Sequence, residues 1–288
     1  MGHALLKQTR LPNGLLANCV PESASEVKYL YTEIFERQIY LRHGITISDG
    51  NCILDIGANI GMFALYAIQQ CKDLRLFCIE PVPVIFNALQ ANLRQVKPSE
   101  NNTVHLINKG ISNTHTLREI EFYPQIPGNS TLYPKEKRRE GKYVSGSLSL
   151  TDIWKWNKLG CLLMLVCFPL RRKLFEEHWR RSCRHSQKFT CELMPLSELI
   201  EQYNIDAIDL LKIDVEGSEM DVLDGISEPH WEKIQQLVLE CSPHNLKSLP
   251  GKKEMLRSKG FRQVVIESMD GSPYDPTALL PCLLYATR

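Results

Sequence analysis

The sequence predicts an α/β fold built on a mainly parallel sheet, and three observations carry that expectation. Cys52–Ile56 is a short apolar run of the kind that makes a buried strand, and Gly57 and Gly61 punctuate the residues after it. From Met62 the apolar period changes, placing Phe63, Ala64, Ala67 and Ile68 on one face of a helix. A second apolar run, Leu76–Ile79, ends in Glu80, and strand and helix patterns alternate beyond it.

Taken in order, residues 1–50 are expected to form an N-terminal cap on a main domain of residues 51–288. Leu11-Pro-Asn-Gly-Leu15 reads as a turn between short extended pieces. Residues 26–40 are helical by pattern, with Val27, Leu30, Tyr31, Ile34 and Phe35 on one side. That helix either covers a ligand or packs on the sheet edge. Pro81 opens the helix after the second strand, and Ile85, Phe86, Leu89 and Leu93 give its apolar face. Residues 103–107 make the third strand, and residues 118–123 alternate enough for another.

An insertion is expected over residues 124–190. Its first part, 124–146, is rich in Pro, Gly, Ser and charge and reads as a loop. Lys135-Glu-Lys-Arg-Arg139 within it is either a solvated charge cluster or a holder for an anionic substrate arm. Leu159–Leu170 is almost wholly apolar, yet far shorter than the roughly 20 residues that span a bilayer. Three readings stay open for it: a membrane-surface helix, an apolar lid over a greasy acceptor, or a helix buried in the insertion. The core pattern resumes at 190–193. A helix over 195–203 turns Leu196, Leu199 and Ile200 inward. Residues 207–213 are the fourth core strand, Gly217 breaks it, and Met220, Leu223 and Ile226 continue as a helix. Residues 235–239 are the fifth strand, and 261–267 with 282–287 form a closing antiparallel pair.

At 288 residues the chain can bury a full core, and its 43% hydrophobic and 23% charged content is ordinary for a globular protein. A net charge of +1 argues against an electrostatic claim on nucleic acid. The first residues carry no signal-peptide apolar region. The ten cysteines include no CxxC pair, so zinc has little support, and no metal site is expected. They read as reduced thiols of a cytoplasmic protein.

The turn Gly57-Ala58-Asn59-Ile60-Gly61 lies between a strand and a helix, where bare backbone and unpaired N–H groups receive ligands. Glu80 lies 19 residues after Gly61, roughly the distance from a glycine turn to a ribose-binding acid. A dinucleotide fingerprint would place another glycine within the turn, and Asp55 would repel a pyrophosphate. A carboxylate suits S-adenosyl-L-methionine better, with its sulfonium, amino group and ribose diol. An ordinary α/β turn without ligand is the competing reading. The expected cofactor residues are Asp55, Gly57, Ala58, Asn59, Gly61 and Glu80.

With those residues in place, the chain resembles class I methyltransferases, and more narrowly the FkbM family. Leu54-Asp-Ile-Gly-Ala-Asn-Ile-Gly-Met-Phe63 resembles the family's cofactor turn. Asp209-Leu-Leu-Lys-Ile-Asp-Val-Glu-Gly-Ser-Glu-Met-Asp-Val-Leu-Asp-Gly225 resembles its signature segment, and Gln236-Leu-Val-Leu-Glu240 the strand after it. Leu11-Pro-Asn-Gly14, Glu33-Ile-Phe35 and Pro127-Gly-Asn-Ser-Thr-Leu132 resemble a subset attached to polyketide and nonribosomal peptide assembly lines. The resemblance implies a Rossmann-like, mainly parallel seven-stranded sheet with an antiparallel C-terminal hairpin. It implies S-adenosylmethionine as donor and oxygen as acceptor, on a small molecule, a sugar or a natural product carried by an acyl carrier protein. Asp214 and Glu216 sit at the carboxyl end of a parallel strand, where ligands bind. They are the candidates for acceptor positioning and proton removal, with cofactor binding, loop orientation or a divalent metal as alternatives. Lys212, His105 and His244 read as structural. A dinucleotide oxidoreductase and a non-catalytic cofactor-binding scaffold remain as other readings of the whole.

Overall fold

The computed structural model describes residues 6–95, 101–147, 171–269, 271–277 and 280–288. Its first elements are a hairpin, β1 (Lys7–Arg10) and β2 (Leu16–Cys19), and helix α1 (Ala24–Tyr31). Then come β3 (Cys52–Ile56), α2 (Met62–Gln70), β4 (Arg75–Ile79), α3 (Pro83–Gln95) and β5 (Thr103–Ile107). A side sheet begins with β6 (Gly110–Ser112) and β7 (Thr116–Phe122). Helices α4 (Pro134–Ser147) and α5 (Arg171–Ser182) precede β8 (Gln187–Pro195) and α6 (Leu196–Gln202). The chain continues with β9 (Leu210–Ile213), α7 (Glu219–Asp224), α8 (Glu228–Trp231) and β10 (Gln236–Cys241). It closes with α9 (Leu249–Ser258), β11 (Gln263–Ser268) and β12 (Cys282–Thr287).

The main sheet has seven strands in the order β5-β4-β3-β9-β10-β12-β11. The first five run parallel, and β12 is antiparallel to both β10 and β11. Strand residues alternate between two apolar cores, because successive side chains point to opposite faces. Ile53, Leu76, Cys78, Leu210 and Val238 join one core. Leu54, Ile56, Phe77, Ile79, Leu211, Ile213, Leu237 and Leu239 join the other. The N-terminal segment supplies Leu11, Val20, Val27, Ile34, Tyr40 and Ile45 to the first core, so it covers that face of the sheet. The strand order reverses between β3 and β9, which opens a crevice at their carboxyl ends.

The expected α/β architecture and its closing antiparallel pair are present, and several local expectations change. The single helix expected over 26–40 is α1 followed by one wide turn at Thr32–Glu36, after which Gln38 takes a positive φ of 47° and ends it. The loop expected over 124–146 contains α4, which begins at Pro134 and packs on α5. Its weak helix composition is overridden by that tertiary packing. Residues 190–193 belong to a separate three-stranded sheet, β6-β8-β7, rather than to the main one. The apolar run Leu159–Leu170 lies outside the described residues. Among the described residues no helix is long and apolar enough to cross a membrane. Cys19, Cys52, Cys71, Cys78, Cys183, Cys191 and Cys241 are buried free thiols.

One polar staple joins the N-terminal hairpin to the sheet. Asn92 on α3 is buried, and its Oδ1 accepts the Asn18 backbone N–H at 2.5 Å. Its Nδ2 donates to the carbonyls of Asn18 (2.9 Å) and Ile60 (2.7 Å). Asn92→Ala strands these buried groups, each costing about 1–3 kcal/mol. It is therefore expected to lower unfolding stability by about 2–4 kcal/mol, read from urea denaturation; a loss under about 0.5 kcal/mol contradicts the staple.

Candidate active site

The glycine turn closes β3 against the sheet's carboxyl edge. Gly57 has a φ of +77°, and a Cβ there would overlap the Asp214 carbonyl oxygen, so no other residue fits. Asn59 also takes a left-handed φ of 50°. The Glu80 carboxylate fixes this conformation from β4, accepting the N–H of Asn59 at 3.1 Å and of Val82 at 2.9 Å. Burial raises its pKa to about 7, against the pull of those two N–H groups.

Together these residues line a cleft. Ile79, Val82, Ile111 and Leu193 make its apolar wall, and the segment from Pro127 to Leu132 folds over it. Asp214, Val215, Glu216 and Ser218 form another wall. Ser218 Oγ is buried there without a hydrogen-bond partner.

Behind the Asp214 wall lies a knot of charge. Lys212 and Asp55 are direct cross-strand neighbours, and their ion pair of 2.9 Å is buried. The same ammonium lies 3.5 Å from the Gly57 carbonyl, 3.6 Å from Asp214 Oδ2 and 4.8 Å from the Tyr40 ring centre. Tyr40 reaches in from the N-terminal segment; its hydroxyl donates to Asp214 Oδ2 at 2.9 Å and lies 3.3 Å from Glu240 Oε2. Burial, then the Asp214 and Glu33 charges, hold the Glu240 carboxyl well above the usual range. Burial also pushes Glu33 up to about 8, opposed by its hydrogen bond from Tyr29.

Glu216 is placed differently. Its φ is +51°, its carbonyl accepts the Thr131 hydroxyl at 2.6 Å, and its carboxylate meets Lys137 at 2.5 Å. Lys137 also binds Glu140 at 2.6 Å, and Glu140 Oε1 stands 3.9 Å from His244 Nδ1. The expectation of a solvated cluster at 135–139 therefore fails at Lys137, which is buried, while Arg138 pairs with Glu121.

Of the residues expected at the cofactor, Gly57, Asn59 and Glu80 line the cleft. Asp55, Ala58 and Gly61 do not. Asp55 is fully buried and committed to Lys212, so the carboxylate expected to suit a cationic ligand holds the protein's own cation. Ala58 donates its N–H to Ile79, and Gly61 starts α2 with a φ of +86°. Asp214 and Glu216 both line the cleft. His105 stacks on Phe77 at 4.5 Å, whereas His244 lies beside the Glu216 loop, 3.3 Å from the Gly217 carbonyl. Tyr40, Glu33, Glu240 and Lys137 escape a reading by motif. For Tyr40, Glu33 and Glu240 the signal is a charged or hydroxyl group in a largely apolar run, whereas the charged stretch around Lys137 carries none. Among the described residues no group of His, Cys, Asp or Glu is arranged to hold a metal ion.

A mainly parallel sheet whose strand order reverses beside a glycine turn is an α/β fold of the Rossmann-like class. Residues 164–262 match the family model described as the methyltransferase FkbM domain. Over 274 residues the chain is 30% identical to "Methyltransferase 1" of Beauveria bassiana, covering 94% of this chain and 95% of that one. It is 31% identical over 261 residues to the 31-O-demethyl-FK506 methyltransferase FkbM of Streptomyces tacrolimicus, covering 90% of each. The solved FkbM methyltransferase of Methylobacillus flagellatus KT aligns with a TM-score of 0.45 at 16% identity, over 92% of this chain and 55% of that one. The chain belongs to the FkbM methyltransferase family.

The raised carboxyls make stability depend on pH. Burial pushes Glu26 up to about 8, against the Gly128 N–H it accepts, and Glu33 behaves alike. The folded state therefore binds protons that the unfolded chain releases near the ordinary glutamate value. Stability from these groups is full below that value and declines as pH climbs towards 8. Ligand-free protein should melt at a higher temperature at about pH 6 than at about pH 9, with a flatter slope in Glu26→Gln/Glu33→Gln. Equal slopes in the two proteins, read by calorimetry, would rule these groups out.

Proposed function

We propose that the chain is an S-adenosylmethionine-dependent O-methyltransferase. The observation that carries the reading is Glu80: a buried carboxylate at the cleft, oriented by two backbone N–H groups, with lone pairs left to accept from a ribose diol. Gly57 leaves the neighbouring backbone bare, and Ile79, Val82, Ile111 and Leu193 offer an apolar surface for a base. These residues fit S-adenosylmethionine, which when bound would supply an electrophilic methyl carbon. Asp55, Ala58 and Gly61 serve that site by holding the turn.

Asp214 and Glu216 face the cleft as well, where they orient an acceptor hydroxyl and remove its proton. Tyr40 and Lys212 hold Asp214 in position. A wall of carboxylates favours a neutral or cationic acceptor over an anionic one. Oxygen as the acceptor atom is supported by the relative named for a 31-O-demethyl substrate. The acceptor is a hydroxyl-bearing small molecule, sugar or natural product, free or held on an acyl carrier protein.

Melting with S-adenosylhomocysteine against NAD tests the donor site. A specific ligand at 100 times its dissociation constant adds about 2.7 kcal/mol. S-adenosylhomocysteine should raise the melting temperature and NAD should not. Glu80→Ala should weaken S-adenosylhomocysteine roughly ten-fold or more, since a charge-assisted hydrogen bond contributes about 1.5–3 kcal/mol; unchanged affinity in a calorimetric titration removes Glu80 from the donor site.

Labelled methyl transfer into candidate extracts identifies the acceptor. With that acceptor, Asp214→Asn should keep donor affinity and lose roughly 100-fold or more in kcat. Turnover within about two-fold of the parent removes Asp214 from the acceptor side.

A further inference from the structure

We propose that Lys137, carried into the site by α4, is a positioning residue of the reaction: its ammonium seats the Glu216 carboxylate on the cleft wall and keeps it charged. The inference rests on reading Glu216 as an acceptor-side base.

The geometry is that of a built clamp. Lys137 has a side chain only 4% exposed, and its ammonium bridges Glu216 Oε2 at 2.5 Å and Glu140 Oε2 at 2.6 Å. Asn129 Oδ1, from the segment over the cleft, stands 3.4 Å away. Glu140 is 6% exposed and Glu216 22%, so of the three groups Glu216 opens furthest outward, and it alone lines the cleft. Trp179 on α5 donates its ring N–H to the Lys137 carbonyl at 3.2 Å, fixing the α4 backbone at that turn. Glu216 is thereby held at both ends. Its backbone sits in a left-handed conformation that a non-glycine residue adopts only when its surroundings enforce it, and Thr131 supplies the hydrogen bond.

The electrostatics explain why a cation is needed there. Glu216 is faced by Asp214 from the end of β9, Glu140 from α4, Glu26 and Glu33 from the N-terminal helical segment, and Glu240 from β10. Lys212, the other lysine of the site, is committed to Asp55 and Asp214. Burial and the facing acids drive Glu216 towards its protonated form, and Lys137 opposes them, leaving it at about 7. A carboxylate in that range takes up a proton near neutrality more readily than an ordinary glutamate. The proton leaves the acceptor hydroxyl for Glu216, and the Lys137 ammonium keeps its own protons. Burial disfavours the Lys137 charge, yet Glu216 and Glu140 together hold the ammonium above the ordinary lysine range.

The test is the titration of Glu216 in the full chain labelled with carbon-13 at glutamate side-chain carboxyls, with S-adenosylhomocysteine bound. The Glu216 resonance is the one missing in Glu216→Gln. Lys137→Met should raise its midpoint by about one pH unit or more, because an opposite charge at this range lowers an acid by about 1–3 units. Glu140→Gln should lower it, since a competing negative charge is gone, and Lys137→Arg should hold it near the parent value. A purely structural Lys137 does not move the midpoint in opposite directions in the two neutralised variants. An unmoved or lowered midpoint in Lys137→Met overturns the proposal. If that variant does not fold, an unmoved or raised midpoint in Glu140→Gln does so. Wild-type turnover in Glu216→Gln overturns the base reading on which the proposal rests, whatever the midpoints show.

Discussion

The buried ion pair of Lys212 and Asp55 is the constraint around which the site is assembled. The two residues are register partners on neighbouring central strands, on the face that the N-terminal segment covers. Taking both charges from water is costly, and breaking such a pair by losing one partner typically costs about 3–5 kcal/mol because a lone buried charge remains. The same ammonium reaches the Gly57 carbonyl, Asp214 and the Tyr40 ring. One cation thus ties the glycine turn, the Asp214 wall and the covering segment into a single arrangement. Each depends on the others for its place.

A second cation does similar work at the opposite end of the wall, but it arrives from outside the sheet. Lys137 belongs to a helix between β7 and β8, and Thr131 and Asn129 belong to the segment leading into it. That segment also donates the Gly128 N–H to Glu26 of α1. The covering N-terminal segment and the inserted helices therefore meet over the cleft through polar contacts. Burial drives the upward drift of Glu26, Glu33, Glu216 and Glu240, and the neighbouring carboxylates add to it.

Much of the fold is legible in the sequence because it is written in local pattern. The apolar runs at Cys52–Ile56, Thr103–Ile107 and Cys282–Thr287 become strands with those bounds. Gly57, Asn59, Glu80, Asp214 and Glu216 reach the cleft because strand ends and glycine turns are also local signals. Asp55 misleads because its partner is a cross-strand neighbour 157 positions away. Lys137 is hidden for a related reason: the composition around it reads as a loop, and only packing on α5 makes it a helix with an inward face. Burial on both faces offers a way to find such residues. Asp55 and Lys212 lie on central strands buried at every position, where an ionised group must have a partner.

The order of the last strands has a consequence for synthesis. β11 pairs with β12 alone, and β12 lies between β11 and β10 although it comes after both in the chain. During vectorial translation β11 emerges with no edge to join, and β10 stands as an open flank of the nascent sheet. Residues 282–287 must leave the ribosome before either is closed. An unpaired strand edge is a template for association with other chains. A chain cut before residue 282 would thus have most of its core built and an adhesive border exposed, a form that quality-control machinery must hold or destroy.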